Sequence, residues 1–110
     1  MTFVLFDGHT YNMKAKQLYY EKQYIGKAFI LEVSIWKVPT KDLFRFPEGY
    51  KYSLILVEAR TGKKVLMDNH HPKGHHVHLD GLEFGYVFIS LEILVKDFKS
   101  FCLKHLGVSI

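Results

Sequence analysis

One cysteine, Cys102, stands in the 110-residue chain, so no intramolecular disulfide can form. The same scarcity excludes a structural zinc site of the Cys/His type, which needs thiolate ligands. No run approaches the roughly 18 consecutive apolar residues that a membrane span requires. The N-terminus MTFVLFDGHTYNMK also lacks the basic-then-apolar order of a signal peptide, so a cytoplasmic protein with no membrane partner is expected. There is no block of five or six like charges, hence no disordered basic tail. Internal repeats and low-complexity tracts are absent as well.

What is present suffices for one core. A hydrophobic content of 48% with 15% aromatics at this length predicts a single domain over residues 1 to 110, folding alone or as a small homo-oligomer such as a homodimer. The net charge of +4, from 15 Lys and Arg against 11 Asp and Glu, mildly favours an anionic partner, and seven histidines add to it on protonation.

Along the chain, Phe3 to Phe6 and the turn residues Asp7-Gly8 suggest an edge strand or frayed arm within residues 1 to 12. Lys14 to Gln23 is expected as a strand, and Ala28 to Val38 alternates with Phe29, Leu31, Val33 and Ile35 on one face and Glu32, Ser34 and Trp36 on the other. A hairpin turn at Tyr24-Ile25-Gly26 joins the two. Pro39 ends the second strand because it has no amide proton for a ladder. After a connecting loop, Tyr50 to Ala59 and Lys64 to Asn69 form a second hairpin around Arg60-Thr61-Gly62-Lys63.

A short aromatic strand is expected at Tyr86 to Phe88, following Asp80-Gly81. Ser90 is an N-cap candidate, and Leu91, Leu94, Val95, Phe98, Phe101 and Cys102 recur at helical spacing, with Gly107 as the stop. Cys102 therefore reads as a small buried hydrophobe rather than a catalytic thiol. The order of elements predicts an α+β fold: a mostly antiparallel sheet of about five strands with one amphipathic C-terminal helix on one face.

The segment Asp68 to His78, DNHHPKGHHVH, holds five of the seven histidines. Gly74 permits a sharp turn and Pro72 stiffens the loop, so the side chains can be presented together. If His76 to Leu79 is extended, His76 and His78 share one face while His75 and Val77 share the other. Two imidazoles on one face can divide into the base and acid that cleavage of RNA through its 2′-hydroxyl requires, with Lys51, Lys73 or Arg45 stabilising the phosphorane. That chemistry needs no cofactor. The same His-x-His pair equally suits Zn²⁺ or Mn²⁺, completed by Asp68, His71 or Glu83. A third reading is a solvated loop whose histidines cap backbone groups. His9 and His105 are isolated, and His105 near a helix C-terminus has a dipole explanation.

On the third strand, Tyr50 and Tyr52 share one face and Lys51 and Ser53 the other. Rings beside a lysine suit RNA, through base stacking and phosphate pairing; equally, the tyrosines can be half-buried sheet residues.

Taken together, YKYSL (50 to 54), MDNHHPKGHHVH (67 to 78) and YVFISLEILVKDF (86 to 98) resemble the TumE-like toxin family of prokaryotic toxin–antitoxin systems. The resemblance covers residues 14 to 104 and rests on Lys51, Asp68, Asn69, Gly74, His76, His78, Ser90 and Asp97. Met67, His75 and Val77 depart from the family's tyrosine, aspartate and arginine; the last two bear on substrate contact and on the tuning of His76. The resemblance implies a growth-inhibiting toxin neutralised by direct contact with a helix-turn-helix antitoxin. The resulting expectation is a metal-independent endoribonuclease. His76 and His78 are its acid–base pair, Lys51 stabilises the phosphorane, Asp68 orients a histidine, and Tyr50, Tyr52, Asn69, Lys73 and Arg45 hold substrate. The alternatives are a metal-dependent nuclease or hydrolase using His71, His76, His78 and Asp68, and a non-catalytic module that binds RNA or a protein.

Overall fold

The computed structural model describes residues 14–110; the arm expected within residues 1 to 12 lies outside them. Six strands, β1 (Lys16–Ile25), β2 (Phe29–Lys37), β3 (Tyr50–Glu58), β4 (Lys64–Asp68), β5 (His76–Leu79) and β6 (Leu82–Gly85), form one antiparallel sheet in chain order. A 3₁₀ turn (Thr40–Asp42) lies between β2 and β3, and one helix, α1 (Leu91–Leu106), closes the chain. The α+β class, the antiparallel sheet and the C-terminal helix match the expectation, with one strand more than anticipated. No helix of the described residues is long and apolar enough to cross a membrane.

The period-2 pattern dictates which face is covered. Leu31, Val33 and Ile35 of β2, Leu54 and Leu56 of β3, Val65 and Met67 of β4 and Val77 of β5 are buried, and they alternate with polar or half-exposed neighbours. Leu94, Phe98 and Cys102, spaced four residues apart, are the buried stripe of α1, which packs chiefly on β4. Leu54, Leu56, Val65, Met67, Val77, Leu94 and Cys102 are sealed from solvent and make the centre of the core. Burial pushes the Cys102 thiol up to about 12, as expected of a packed, unreactive cysteine.

Local chemistry sets the ends of α1. The Ser90 hydroxyl accepts the Ile93 N–H at 3.1 Å, and Gly107, at φ 70°, takes the left-handed C-cap that a side chain would oppose. The first hairpin turns two residues later than anticipated, over 26–28, because Gly26 at φ 62° begins the reversal rather than ending it. Tyr86 to Phe88 is not a strand. Asp80, itself at φ 57°, and Gly81 reverse the chain at once, so β6 occupies 82–85. The following aromatics leave the sheet instead: Tyr86 donates its hydroxyl to Asp97 Oδ2 on the helix, and Phe88 stacks on His75.

Because α1 lies over β4, the opposite face of the sheet carries no helix. The register brings polar side chains into line there. Tyr20, Ser34, Ser53, Asp68 and His76 are successive cross-strand partners from β1 to β5. Trp36 pairs with Lys51 one row away, and His78 pairs with Glu83 on the other side. The candidate site is built on this face.

Candidate functional site

β4 and β5 are joined by the loop 69–75, closed by a hydrogen bond from the Gly74 N–H to the His70 carbonyl at 2.9 Å. Gly74 has φ 78°, the conformation its lack of a side chain allows. The closure sets Asp68 directly opposite His76, with both side chains on the helix-free face. His78 follows on the same face, and its ring meets His76 edge to face with centroids 4.7 Å apart. The alternation expected of His76 and His78 thus holds, and the two rings converge.

One ligand atom from each of Asp68, His76 and His78 lies within 4.8 Å of the others, the one group of three metal-ligating side chains among the described residues. The hydrogen bonding of His76 fixes how that atom is offered. Its Nδ1 is 2.7 Å from the Gly74 carbonyl, which can only accept, so Nδ1 carries the proton. The Nε2 then faces Asp68 Oδ1 at 2.9 Å. A lone pair and a carboxylate oxygen at that separation need a proton or a cation between them. Two cis ligands each about 2.1 Å from one ion stand about 3.0–3.4 Å apart, close to this spacing. A histidine whose second nitrogen donates to a backbone carbonyl is also the usual second-shell arrangement of a metal ligand. Asp68 Oδ1 further accepts the His70 N–H at 3.2 Å, which holds the carboxylate in place.

The same contacts describe the surroundings of the pair expected to act as acid and base. Both ring nitrogens of His76 are engaged by protein groups, and the residue is 5% exposed, leaving no free nitrogen to exchange a proton with substrate. Asp68 does orient a histidine, through Nε2 of His76.

The other expected residues divide. Lys51 is exposed on the site's face, one pair along β3 from Ser53 and therefore diagonal to Asp68. Arg45 lies at the rim, ion-paired with Asp42 and set over the Phe44 ring. Lys73 pairs with Glu83 at 2.6 Å, and this ammonium holds the Glu83 carboxyl below its ordinary range. Glu83 in turn approaches His78 Nδ1 at 3.7 Å, outside the three-residue group. His71 is turned away, meeting Phe44 edge to face, and does not join the cluster.

Asn69, Tyr52 and Tyr50, expected to hold substrate, are engaged within the sheet and its packing, and Tyr52 also lines the cavity over β2 and β3. Asn69 is buried and extends the β3–β4 ladder with its side chain, accepting from the Tyr52 N–H and donating to the Tyr50 carbonyl. Tyr52 is buried on the helix side, where burial raises its pKa and its hydroxyl bonds His75 Nδ1 at 2.8 Å. His75 completes a stack with Tyr52 and Phe88 and reaches Glu48 through Nε2, lowering the Glu48 pKa by this hydrogen bond. This histidine, which stands where the resembled family has aspartate, thus ties the loop before β3 to β5. Tyr50 is half-buried beside Phe88.

Residues not foreseen as part of the site are Ser34, Ser53 and Trp36. The indole N–H of Trp36 donates to Ser34 Oγ at 3.0 Å, and both line a cavity of about 610 Å³ with Lys51, Ser53, Arg45 and His71. Ser53, the direct partner of Asp68, forms the boundary between this cavity and the His–Asp cluster. The sequence set Ser34 and Trp36 on the face of β2 opposite Leu31, Val33 and Ile35, and only the register joins that face to the histidines. Compared with protein-family models, curated proteins and solved structures, the chain matches none.

Proposed function

We propose that the chain is a divalent-metal-dependent nuclease acting on RNA, with Asp68, His76 and His78 as the metal ligands. The observation that carries this reading is the convergence of the three ligand atoms within 4.8 Å, with the second nitrogen of His76 tied to a backbone carbonyl. Zn²⁺ or Mn²⁺ suits two imidazoles and one carboxylate. Three protein ligands leave positions open, as catalytic rather than structural sites do.

A divalent ion held by Asp68, His76 and His78 would supply Lewis acidity and make water more acidic. The protein's part is to keep the ligands fixed and to meet the substrate's charge. Lys51, diagonal to Asp68, neutralises a non-bridging phosphate oxygen as negative charge builds on phosphorus. Water oxygen joins phosphorus, one P–O ester bond breaks, and the leaving oxygen takes up a proton. The choice of RNA rests on the basic balance of the chain and on the resemblance to TumE-like toxins, which also supplies the biological setting: a cytoplasmic toxin held inactive by a helix-turn-helix antitoxin.

The test is cleavage of RNA by the purified protein before and after chelation, with metal add-back. Turnover should vanish on chelation and return with Zn²⁺ or Mn²⁺. Asp68→Ala and His78→Ala should abolish both turnover and growth inhibition on expression. Turnover indifferent to chelation would reject the metal and return the chemistry to imidazole acid–base catalysis.

A further inference from the structure

A cavity lies beside the cluster. Its floor is the helix-free face of β2 and β3, and the chain between β2 and β3 supplies Arg45 and Phe46 to its wall. At about 610 Å³ it falls within the range of small-ligand sites. Trp36 is the only tryptophan in the chain and stands half-exposed on a face where its β2 neighbours on the same side are Ser34 and Glu32. A large indole in such company does not serve the core. Its one polar atom is already satisfied by Ser34, so what it offers a ligand is its ring. Directly across the strand pair is Lys51, an ammonium one residue pair from an aromatic surface.

We infer that this cavity receives one unpaired nucleotide of a single-stranded RNA, its base stacked on Trp36, with Lys51 meeting the phosphodiester that adjoins it, the one presented to Asp68, His76 and His78. The inference rests on the nuclease reading for the identity of the scissile bond, but the binding it describes needs no metal. Stacking requires a base that has left its helix, because paired bases present only their edges. Ser53, between cavity and cluster, marks the step from the bound base to the adjacent phosphate.

The test uses the metal-free protein, prepared with chelator, and a short single-stranded RNA of mixed sequence. Since Trp36 is the sole tryptophan, its emission reports the stack directly. Saturable quenching is expected. With labelled RNA read by anisotropy, Trp36→Ala should weaken binding by about 5- to 150-fold, the range for losing one base stack, while Trp36→Phe keeps most of the affinity. Lys51→Ala should reduce the salt dependence of log K by about 0.7, one phosphate on a single strand, a slope that Trp36→Ala leaves unchanged. A duplex of the same sequence should bind more weakly and leave the emission unaltered. RNA binding without a change in Trp36 emission, wild-type affinity in Trp36→Ala, equal affinity for the duplex, or no RNA binding would each overturn the inference. Failure of the metal reading would appear elsewhere, as turnover that survives chelation.

Discussion

If Asp68, His76 and His78 bind one divalent ion in the folded protein and not in the unfolded chain, the ion must raise thermal stability by an amount that can be calculated. At a free metal concentration one hundred times Kd, linkage gives about 2.7 kcal/mol. For a chain of 110 residues the unfolding entropy near the midpoint is about 230 cal/mol/K, so each kcal/mol moves Tm by about 4 °C. The expected shift is therefore about 12 °C, read by circular dichroism or scanning calorimetry with Zn²⁺ or Mn²⁺ against chelator. Each of Asp68→Ala, His76→Ala and His78→Ala removes one of three ligands and should abolish most of the shift. The decisive control is His70→Ala with His71→Ala. A merely histidine-rich loop would lose metal affinity there, whereas the converged site should not, because His71 faces Phe44 instead of the cluster. A full shift in His78→Ala, or its loss in the His70/His71 variant, would refute the assignment.

Other outcomes follow from the same geometry. Asn69→Ala strips hydrogen bonds from the Tyr52 N–H and the Tyr50 carbonyl, so urea denaturation should show a loss of about 2–5 kcal/mol, beyond that of a surface substitution. Ser90→Ala, which leaves the Ile93 N–H without its cap, should cost about 1 kcal/mol and leave metal binding intact, as checked by the Zn²⁺-dependent Tm shift. Cys102 should resist thiol reagents until the protein unfolds. Its folded pKa is raised to about 12 by burial, so its contribution to stability is whole below the unfolded thiol's pKa of about 8.5 and declines as pH rises through that interval. The urea midpoint should accordingly fall less between pH 8.5 and 10.5 in Cys102→Ala than in the wild type.

Much of the architecture was written in local periodicity. Alternation in β2 and β3 set Leu31, Val33 and Ile35 on one face of their strand and Lys51 and Ser53 on one face of theirs, and the three- and four-residue spacing of Leu91, Leu94, Val95, Phe98, Phe101 and Cys102, bounded by Ser90 and Gly107, defined the helix. These patterns are legible because facing repeats every two residues in a strand and every 3.6 in a helix, whatever the partner. The Asp80-Gly81 reversal was visible too, yet the aromatics after it were mistaken for the strand. Composition favours the ladder at Tyr86 to Phe88, while stacking on His75 and the bond to Asp97 draw those rings out of it.

The histidine segment shows where local reading ends. His76, His78 and Asp68 were singled out by strand alternation together with the resemblance to TumE-like toxins. Their roles depended on register, a property of non-local pairing that no single strand carries. Register sets Asp68 opposite His76, links that pair through Ser53 to Ser34, and puts Trp36 beside Lys51. Loop closure at Gly74 then spends one nitrogen of His76 on a carbonyl and turns the other to the carboxylate. The sequence by itself determined which side chains within each strand share a face; the tertiary structure decided which faces join and which atoms meet, because hydrogen-bond direction and cross-strand pairing exist only once the strands have come together.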